Sequence, residues 1–249
     1  MNAEPAPGSR GGRPGGDLDV LLAGVVGGGG EPLAVVDLGG GTGGHAVALA
    51  RLGHEVLVVD RNADALAMLG RRAAAAEVTD RVRAVQSDVA ELGEHVAAGS
   101  VDLVLCHGLL EVVDDPPATI AATADVLRPG GHVSVLAAGR MRAVLGRAVS
   151  GDLLRARRLL DLRAATWDRS VDGPRRYTLE ELTTLVGDAG LRVERVDGVR
   201  VLADLVPPAL VESDADRQAL TALEDAAAQE PRLRALAGLL HVLAVRATD

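Results

Sequence analysis

The chain has 249 residues, enough for one large domain or two small ones, and 48% of them are hydrophobic, which suffices for a single well-filled core. A formal net charge of −9 argues against a nucleic-acid-binding surface over the whole protein, and a single cysteine, Cys106, excludes an internal disulfide and a cysteine-based zinc cluster. The chain opens without a secretory signal pattern and contains no apolar stretch of membrane-spanning length, so we expect a cytoplasmic protein with no membrane partner.

The start of the chain differs in composition from the rest. Residues 1–16 are rich in glycine, proline and alanine and are predicted to be disordered. We expect one folded domain over residues 17–249, which begins with a short helix at Asp17–Leu22. A buried first strand, Leu33–Leu38, then runs directly into the glycine-rich turn Gly39–Gly43 and a helix from about Gly44 to Leu52.

Strands and helices alternate through the remainder. The predicted strands lie at 33–38, 55–60, 82–87, 101–107, 132–138, 191–196 and 239–246. Helices are predicted between them, one of them opened by Pro116 or Pro117 and another by a capping box at Thr178–Glu181. This alternation predicts an α/β fold with a mostly parallel sheet, which binds ligands at the carboxyl ends of its strands.

An inserted helical cap is expected at residues 139–177. The segment from Arg140 to Arg176 holds ten arginines and only four aspartates, in a chain that is acidic overall. Such a run is typical of a solvated helix face. It also lies where a cap would cover an active site, so it is compatible with an anionic substrate.

The glycine turn and two acids indicate the kind of ligand. Gly39, Gly41 and Gly44 match the G-x-G-x-x-G spacing of dinucleotide-binding proteins, so the glycines alone fit a nicotinamide-dependent oxidoreductase. Asp37, however, ends the first strand beside the turn, where it would repel a pyrophosphate and attract a ligand with an ammonium group. Asp60 ends the second strand, where an acid binds both ribose hydroxyls in such folds. The acids therefore favour S-adenosylmethionine over a dinucleotide, while a glycine turn without a ligand is the plain structural alternative.

Together with Gln86–Asp88 after strand three and Leu127–Gly131 before strand five, these features make the chain resemble class I S-adenosylmethionine-dependent methyltransferases over roughly Asp17 to Arg246. The resemblance implies a Rossmann-like seven-stranded, mostly parallel sheet whose last strand is inserted antiparallel. It implies no metal, and His45, Cys106 and His132 have no partners at a metal-like spacing.

The resemblance also implies roles for individual residues. Asp37 would face the methionine ammonium group, Asp60 would hold the ribose, and Asp88 would bind the adenine amino group, unless Asp88 serves only as a helix cap. An arginine upstream of the first strand, at Arg10, would also contact the cofactor. The expected cofactor-binding residues are Asp37, Gly39, Gly40, Gly41, Gly43, Asp60, Arg61, Asp88, Val89 and His107.

Within this family the chain is similar to the bacterial tRNA 5-carboxymethoxyuridine methyltransferases, which form a methyl ester on a wobble uridine. The likeness rests on His107–Glu111, Gly198–Val201 and Gln229–Pro231, besides the glycine turn. The chain departs from them at Val112, where they have a tryptophan, and in the scattered arginines of its insert. Because aromatic residues that could stack on an anticodon base are scarce, the acceptor is either a modified uridine of tRNA or a small anionic metabolite.

Candidate catalytic and substrate-binding residues follow from the expected chemistry. A carboxylate acceptor is already ionised and needs no general base, whereas a phenol or amine would need one, with His107 or Glu111 as candidates. His107 is the expected catalytic residue, although a lone histidine at a strand end is as often structural. The expected substrate-binding residues are Arg140, Arg155, Arg158 and Arg200. A domain that binds cofactor without turnover is the non-enzymatic alternative.

Overall fold

The computed structural model of the protein describes residues 22, 24–26 and 31–248. The predicted short helix at 17–22, the predicted disorder of residues 1–16 and the contact expected of Arg10 therefore lie outside the described residues, except for Leu22. Seven strands form one sheet in the order β3-β2-β1-β4-β5-β7-β6. They are β1 (Ala34–Leu38), β2 (Glu55–Asp60), β3 (Val82–Gln86), β4 (Val101–His107), β5 (Leu127–Ala138), β6 (Leu191–Val199) and β7 (Leu239–Arg246).

Helices connect the strands and cover both faces of the sheet. Those before the cap are α1 (Gly44–Arg51), α2 (Ala63–Ala75), α3 (Leu92–His95) and α4 (Pro116–Val126). The cap contains α5 (Arg140–Val149), α6 (Leu153–Asp161) and α7 (Arg169–Asp172), and the rest of the chain adds α8 (Leu179–Asp188), α9 (Asp214–Gln229) and α10 (Pro231–Arg234). None of the helices within the described ranges is long and apolar enough to cross a membrane.

The sheet is parallel except at its last strand. β1 pairs in parallel with β2 and β4, and β4 pairs in parallel with β5. β7 enters between β5 and β6 and is antiparallel to both. The predicted Rossmann-like fold with an antiparallel last strand is thus confirmed.

Side chains point alternately to the two faces of the sheet along each strand, and each face carries its own apolar layer. Val36 and Leu38 of β1 pack into the larger core cluster on one face, and Val35 packs with Val56 and Leu105 into a second cluster on the other face. Asp37 shares the face of Val35, so the strand that otherwise reads as continuously apolar places one carboxyl group under α1. That position lies at the carboxyl end of the strand, where ligands bind in this architecture.

Most predicted boundaries agree with the structure to within a few residues. The main difference concerns strand five, which was expected from His132 but starts at Leu127, because Leu127 pairs with Val101 before the register shifts. The predicted helix signals are confirmed: Pro116 is the first residue of α4, and the side chains of Thr178 and Glu181 form a capping box at the start of α8.

Candidate active site

The glycine turn between β1 and α1 needs its glycines for two different reasons. Gly39, Gly41 and Gly43 have φ values of 68°, 54° and 74°, in the left-handed region that residues with a Cβ rarely adopt. A Cβ on Gly40 would lie 2.5 Å from Oδ2 of Asp37. The turn is therefore folded tightly over the Asp37 carboxyl group.

Asp37 is the most unusual carboxyl group of the structure. Its side chain is 1% exposed, and its Oδ2 has no hydrogen-bond partner among the described residues. Burial and, to a smaller extent, the charge of Asp60 raise the pKa of Asp37 to about 7. A buried carboxyl group without a partner destabilises the fold, which makes a functional role the natural explanation.

A cavity of about 470 Å³ opens beside the turn, at the carboxyl ends of β1 to β4. Its lining includes five of the expected cofactor-binding residues: Gly39, Asp60, Arg61, Asp88 and Val89. Asp60 accepts hydrogen bonds from the backbone N–H groups of Gly41, at 2.9 Å, and Asn62, at 2.8 Å, which hold its carboxylate at the cavity. The sequence therefore identified a set of residues that the structure does bring together.

Asp88 already has two partners at this cavity. Its Oδ1 accepts a hydrogen bond from the backbone N–H of Ala90, so it caps the turn at 89–91, as the plainer interpretation proposed. Its Oδ2 lies 3.3 Å from Nη1 of Arg61, in a pair that is largely solvent-exposed. Because an exposed ion pair is weak, Oδ2 of Asp88 can still exchange this partner for a ligand group.

A second cavity, of about 780 Å³, lies between the start of α4, the end of the cap and α8. It shares Asp114 and Asp115 with the first cavity. Arg140 lines it and is 2% exposed, with Nη2 at 2.8 Å from Oε2 of Glu181. Nε and Nη1 of Arg140 have no partner within the described chain. Arg140 thus offers two unused charge-assisted donors at a cavity next to the cofactor site.

The other arginines expected to bind substrate do not reach either cavity. Arg155, Arg158 and Arg200 pair with Asp152, Asp172 and Asp204, and their side chains are 70%, 53% and 52% exposed. Arg200 follows β6 at the edge of the sheet, three strands from β4. Each of these three arginines lies at the surface beside an aspartate, outside both cavities, and their role in substrate binding stays a prediction.

His107 lies at the end of β4 on the same face of the sheet as Asp37, because Asp37 is in register with Leu105. Its Nε2 lies 2.8 Å from Oγ of Ser134 on β5, and the same Oγ lies 2.9 Å from Nε2 of His241 on β7. Nδ1 of His241 is 3.0 Å from Oδ2 of Asp197 on β6. We call His107, Ser134, His241 and Asp197 the polar row.

Three members of the polar row are missing from the sequence-based interpretation. Ser134, His241 and Asp197 are far from His107 in the chain and belong to no sequence motif. The one signal for each is a polar residue at an inward-facing position of a buried strand.

Glu111 is the other candidate base. Its Oε1 accepts a hydrogen bond from the backbone N–H of Ala138 at 2.8 Å, and burial raises its pKa. Glu111 thus ties β4 to the end of β5.

No group of three or more metal-ligating side chains occurs in the part of the chain that the structure describes.

Comparison with known proteins identifies the family. A family profile described as a methyltransferase domain matches residues 36–135, which carry Asp37, the glycine turn, Asp60 and His107. The tRNA 5-carboxymethoxyuridine methyltransferase of Escherichia coli (strain K12) is 35% identical over 120 residues, which cover 48% of this chain and 44% of that protein. Residues 36–135 thus match a methyltransferase domain.

The chain is also similar to the ubiquinone biosynthesis O-methyltransferase of Xanthomonas axonopodis pv. citri (strain 306). The identity is 33% over 171 residues, which cover 66% of this chain and 65% of that protein. The chain thus spans less than two thirds of the length of the curated relatives it matches. These matches support S-adenosylmethionine, the cofactor expected from the sequence.

Solved structures agree on the fold of the chain. An S-adenosylmethionine-dependent methyltransferase from Mesorhizobium loti superposes with a TM-score of 0.61 at 20% identity, covering 92% of this chain and 97% of the other. The [4+2]-cyclase SpnF superposes with a TM-score of 0.64 at 20% identity, covering 93% and 80%. Because one of these proteins is named a cyclase, the fold alone does not specify the reaction.

Proposed function

We propose that this methyltransferase transfers the methyl group of S-adenosylmethionine to a small acceptor that carries an anionic group. The observation that carries the proposal is the buried Asp37 carboxyl group, folded under the glycine turn with Oδ2 unpartnered among the described residues. Such a group suits a cationic ligand and would repel a pyrophosphate. It therefore argues against the nicotinamide-dependent alternative.

The residues in and beside the 470 Å³ cavity fit the cofactor. Asp60 lines the cavity and would hold the ribose hydroxyls, and Asp88 with Val89, also in the lining, would contact the adenine. Asp37 lies under the glycine turn, outside this lining, and would face the ammonium group, while Gly39, Gly40, Gly41 and Gly43 keep the turn bare for close approach. When bound, the cofactor supplies a methyl group on a positively charged sulfur. The task of the protein is then to hold an acceptor in line with this methyl group and to exclude water.

Arg140 is the residue that best fits the acceptor. It is buried, it lines the 780 Å³ cavity that shares Asp114 and Asp115 with the cofactor site, and its Nε and Nη1 are unpartnered within the described ranges. A carboxylate or phosphate on the acceptor would satisfy both nitrogens through charge-assisted hydrogen bonds.

A small acceptor fits the surface better than tRNA does. The only aromatic residues of the chain, Trp167 and Tyr177, are buried, so neither can stack on an anticodon base. The cap arginines Arg155 and Arg158 are paired with aspartates, and the net charge is −9. These features favour a metabolite over the wobble uridine suggested by the similarity to the tRNA enzyme.

The test uses cofactor labelled with tritium in its methyl group. The purified protein is incubated with the small-molecule fraction of a bacterial extract or with total tRNA, and the label in each fraction is counted. We expect transfer to the small-molecule fraction only, and none by the Asp37→Asn variant. Label in tRNA would overturn the choice of acceptor, and no transfer to either fraction would overturn the proposed function.

A further inference from the structure

We propose that His107 is the general base of this reaction, that Ser134, His241 and Asp197 position it, and that the methyl group is accepted by a hydroxyl oxygen rather than a carboxylate. The inference rests on the proposed function and adds the chemical class of the reacting group. It starts from the polar row, which crosses four strands of a sheet whose neighbouring layers are otherwise apolar.

The hydrogen-bond donors of the polar row can be assigned from its Asp197 end. Burial opposes the ionisation of Asp197, but hydrogen bonds from His241 and Gln229 and the charge of Arg195 outweigh it and hold the pKa of Asp197 below its usual value. An ionised Asp197 only accepts hydrogen bonds, so Nδ1 of His241 must carry the proton. Burial lowers the pKa of His241 despite this bond, so His241 is neutral and its Nε2 is a bare acceptor.

The same logic fixes the protonation of His107. The hydroxyl group of Ser134 has one proton, which it donates in a hydrogen bond to the unprotonated Nε2 of His241. Oγ of Ser134 can then only accept from His107, so Nε2 of His107 is the N–H donor and its Nδ1 is the nitrogen with a free lone pair. Nδ1 of His107 indeed has no hydrogen-bond partner among the described residues. All three hydrogen bonds of the row point from His107 toward Asp197.

His107 stays neutral and lies beside the cofactor cavity, with its own side chain outside the cavity lining. Burial, then the neighbouring His45 and His241, lower the pKa of His107 well below its usual value, so Nδ1 is unprotonated at neutral pH. His45, at the start of α1 directly after the glycine turn, packs edge-on against the His107 ring with 5.1 Å between centroids. The two residues that follow His107, Gly108 and Leu109, line the cofactor cavity together with Gly39.

The reaction follows from this arrangement. An oxygen lone pair of the acceptor hydroxyl forms a bond to the methyl carbon while the carbon–sulfur bond breaks and its electron pair goes to sulfur. The hydroxyl proton moves to Nδ1 of His107, which leaves a methyl ether and a protonated imidazole. The aligned hydrogen bonds of the polar row stabilise that positive charge through to the Asp197 carboxylate. A carboxylate acceptor has no proton to lose and would make the row superfluous.

The polar row is not the arrangement that stability alone would favour. Burying polar groups stabilises less than apolar packing of the same volume, and a single mispaired group would cost further stability. The cost is reasonable at a site where one tautomer of one histidine is required, as in hydrolases whose aspartate orients the catalytic imidazole.

The first experiment reads the tautomers directly in the whole protein. Long-range proton–nitrogen correlation spectra of the protein labelled with nitrogen-15 histidine, assigned with His107→Gln and His241→Gln, distinguish protonated from bare ring nitrogens. We expect Nε2–H on His107 and Nδ1–H on His241 at pH 7.5. Ser134→Ala should give a mixture of the two tautomers of His107, whereas Ser134→Thr should keep the single Nε2–H tautomer. A protonated Nδ1 on His107 in the unmodified protein would overturn the proposal.

The second experiment identifies the product. The methyl label transferred to the small-molecule fraction is treated with alkali, which cleaves methyl esters, and with hot hydriodic acid, which releases the methyl group of an ether as methyl iodide. We expect label that is stable to alkali and released by the acid. Alkali-labile label would overturn the inference while leaving the proposed function intact.

Variant kinetics test the positioning role. Ser134→Ala should lower kcat about 100-fold, in line with the lower range for general-base catalysis, with an unchanged Kd for the cofactor, and Ser134→Thr should recover most of the rate. The matched control is Thr123→Ala, which removes another buried hydroxyl, one that donates to the Thr119 carbonyl oxygen at 2.9 Å within α4 and belongs to no bond of the row. Equal loss of kcat in Ser134→Ala and Thr123→Ala would refute a positioning role.

Discussion

Asp37→Asn should have opposite effects on two properties of the protein: it should raise stability at neutral pH and weaken cofactor binding. The native group is fully buried, and its pKa rises from an ordinary 3.8 to about 7 on folding. Between these two pH values the folded state holds a proton that the unfolded chain has lost, so stability falls as pH rises through this window. Each unit of pKa shift corresponds to about 1.4 kcal/mol, so the destabilisation reaches at most about 4 kcal/mol above pH 7.

The assay is urea unfolding of the cofactor-free protein and of Asp37→Asn at pH 5, 6, 7 and 8. Because the amide does not ionise, the variant should gain stability relative to the native protein with each step up to about pH 7, and the gain should then level off. Asp225→Asn is the control, since Asp225 is an exposed residue of α9 and does not shift the pKa of Asp37.

Calorimetry completes this prediction. Asp37→Asn should bind S-adenosylmethionine at least 100-fold more weakly, because it loses a charged partner for the ammonium group in a site shielded from water. A free energy of unfolding that differs between variant and native protein by the same amount at every pH would refute the buried, shifted carboxyl group. Unchanged cofactor affinity would refute its role.

Three further predictions concern the same site. The Kd of S-adenosylmethionine should rise about fivefold from pH 7 to pH 6, because a proton on Asp37 competes with the ammonium group, and titrations in buffers of different ionisation enthalpy should reveal proton release; a Kd independent of pH would contradict this. Arg140→Lys keeps a charge beside Glu181 but loses Nε and Nη1, so the KM of the acceptor should rise ten- to 100-fold with little change in cofactor Kd, while Arg155→Lys should change neither; equal effects of both would count against Arg140. Gly40→Ala should abolish cofactor binding through the clash with Asp37, whereas Gly70→Ala in α2, where a Cβ meets nothing, should leave binding unchanged and slightly raise thermal stability.

The sequence was sufficient for the fold and for bringing several expected cofactor residues to one cavity. Alternating strand and helix signals specified the sheet, and Asp37, Asp60 and Asp88 each lie at or just after the carboxyl end of a strand, so the rule that ligands bind at strand ends placed them near one another. The same rule could not decide which arginines line the second cavity. Arg155 and Arg158 carry the same charge as Arg140, and only the fold places Arg140 beside Glu181 of α8 and buries it there.

The polar row could not be predicted, because it depends on strand order and register. Ser134 and His241 meet only because β7 lies next to β5, and Asp197 meets His241 only because β6 pairs with the far edge of β7. In the sequence these residues are single polar positions in apolar strands. His107 was singled out for its position at a strand end, but its tautomer depends on partners up to 134 residues away along the chain, which is the spacing to His241.

The insertion of β7 between β5 and β6 also sets the order in which the molecule can be made. During synthesis, β1 to β6 leave the ribosome before Leu239. The edge of β5 that pairs with β7 therefore has unpaired backbone groups until β7 is made. All residues that line the cofactor cavity are present during that interval, but His241, which lies on β7, is not yet in place. Synthesis up to the end of β6 thus supplies the residues that line the cofactor cavity before the residue that we propose positions His107.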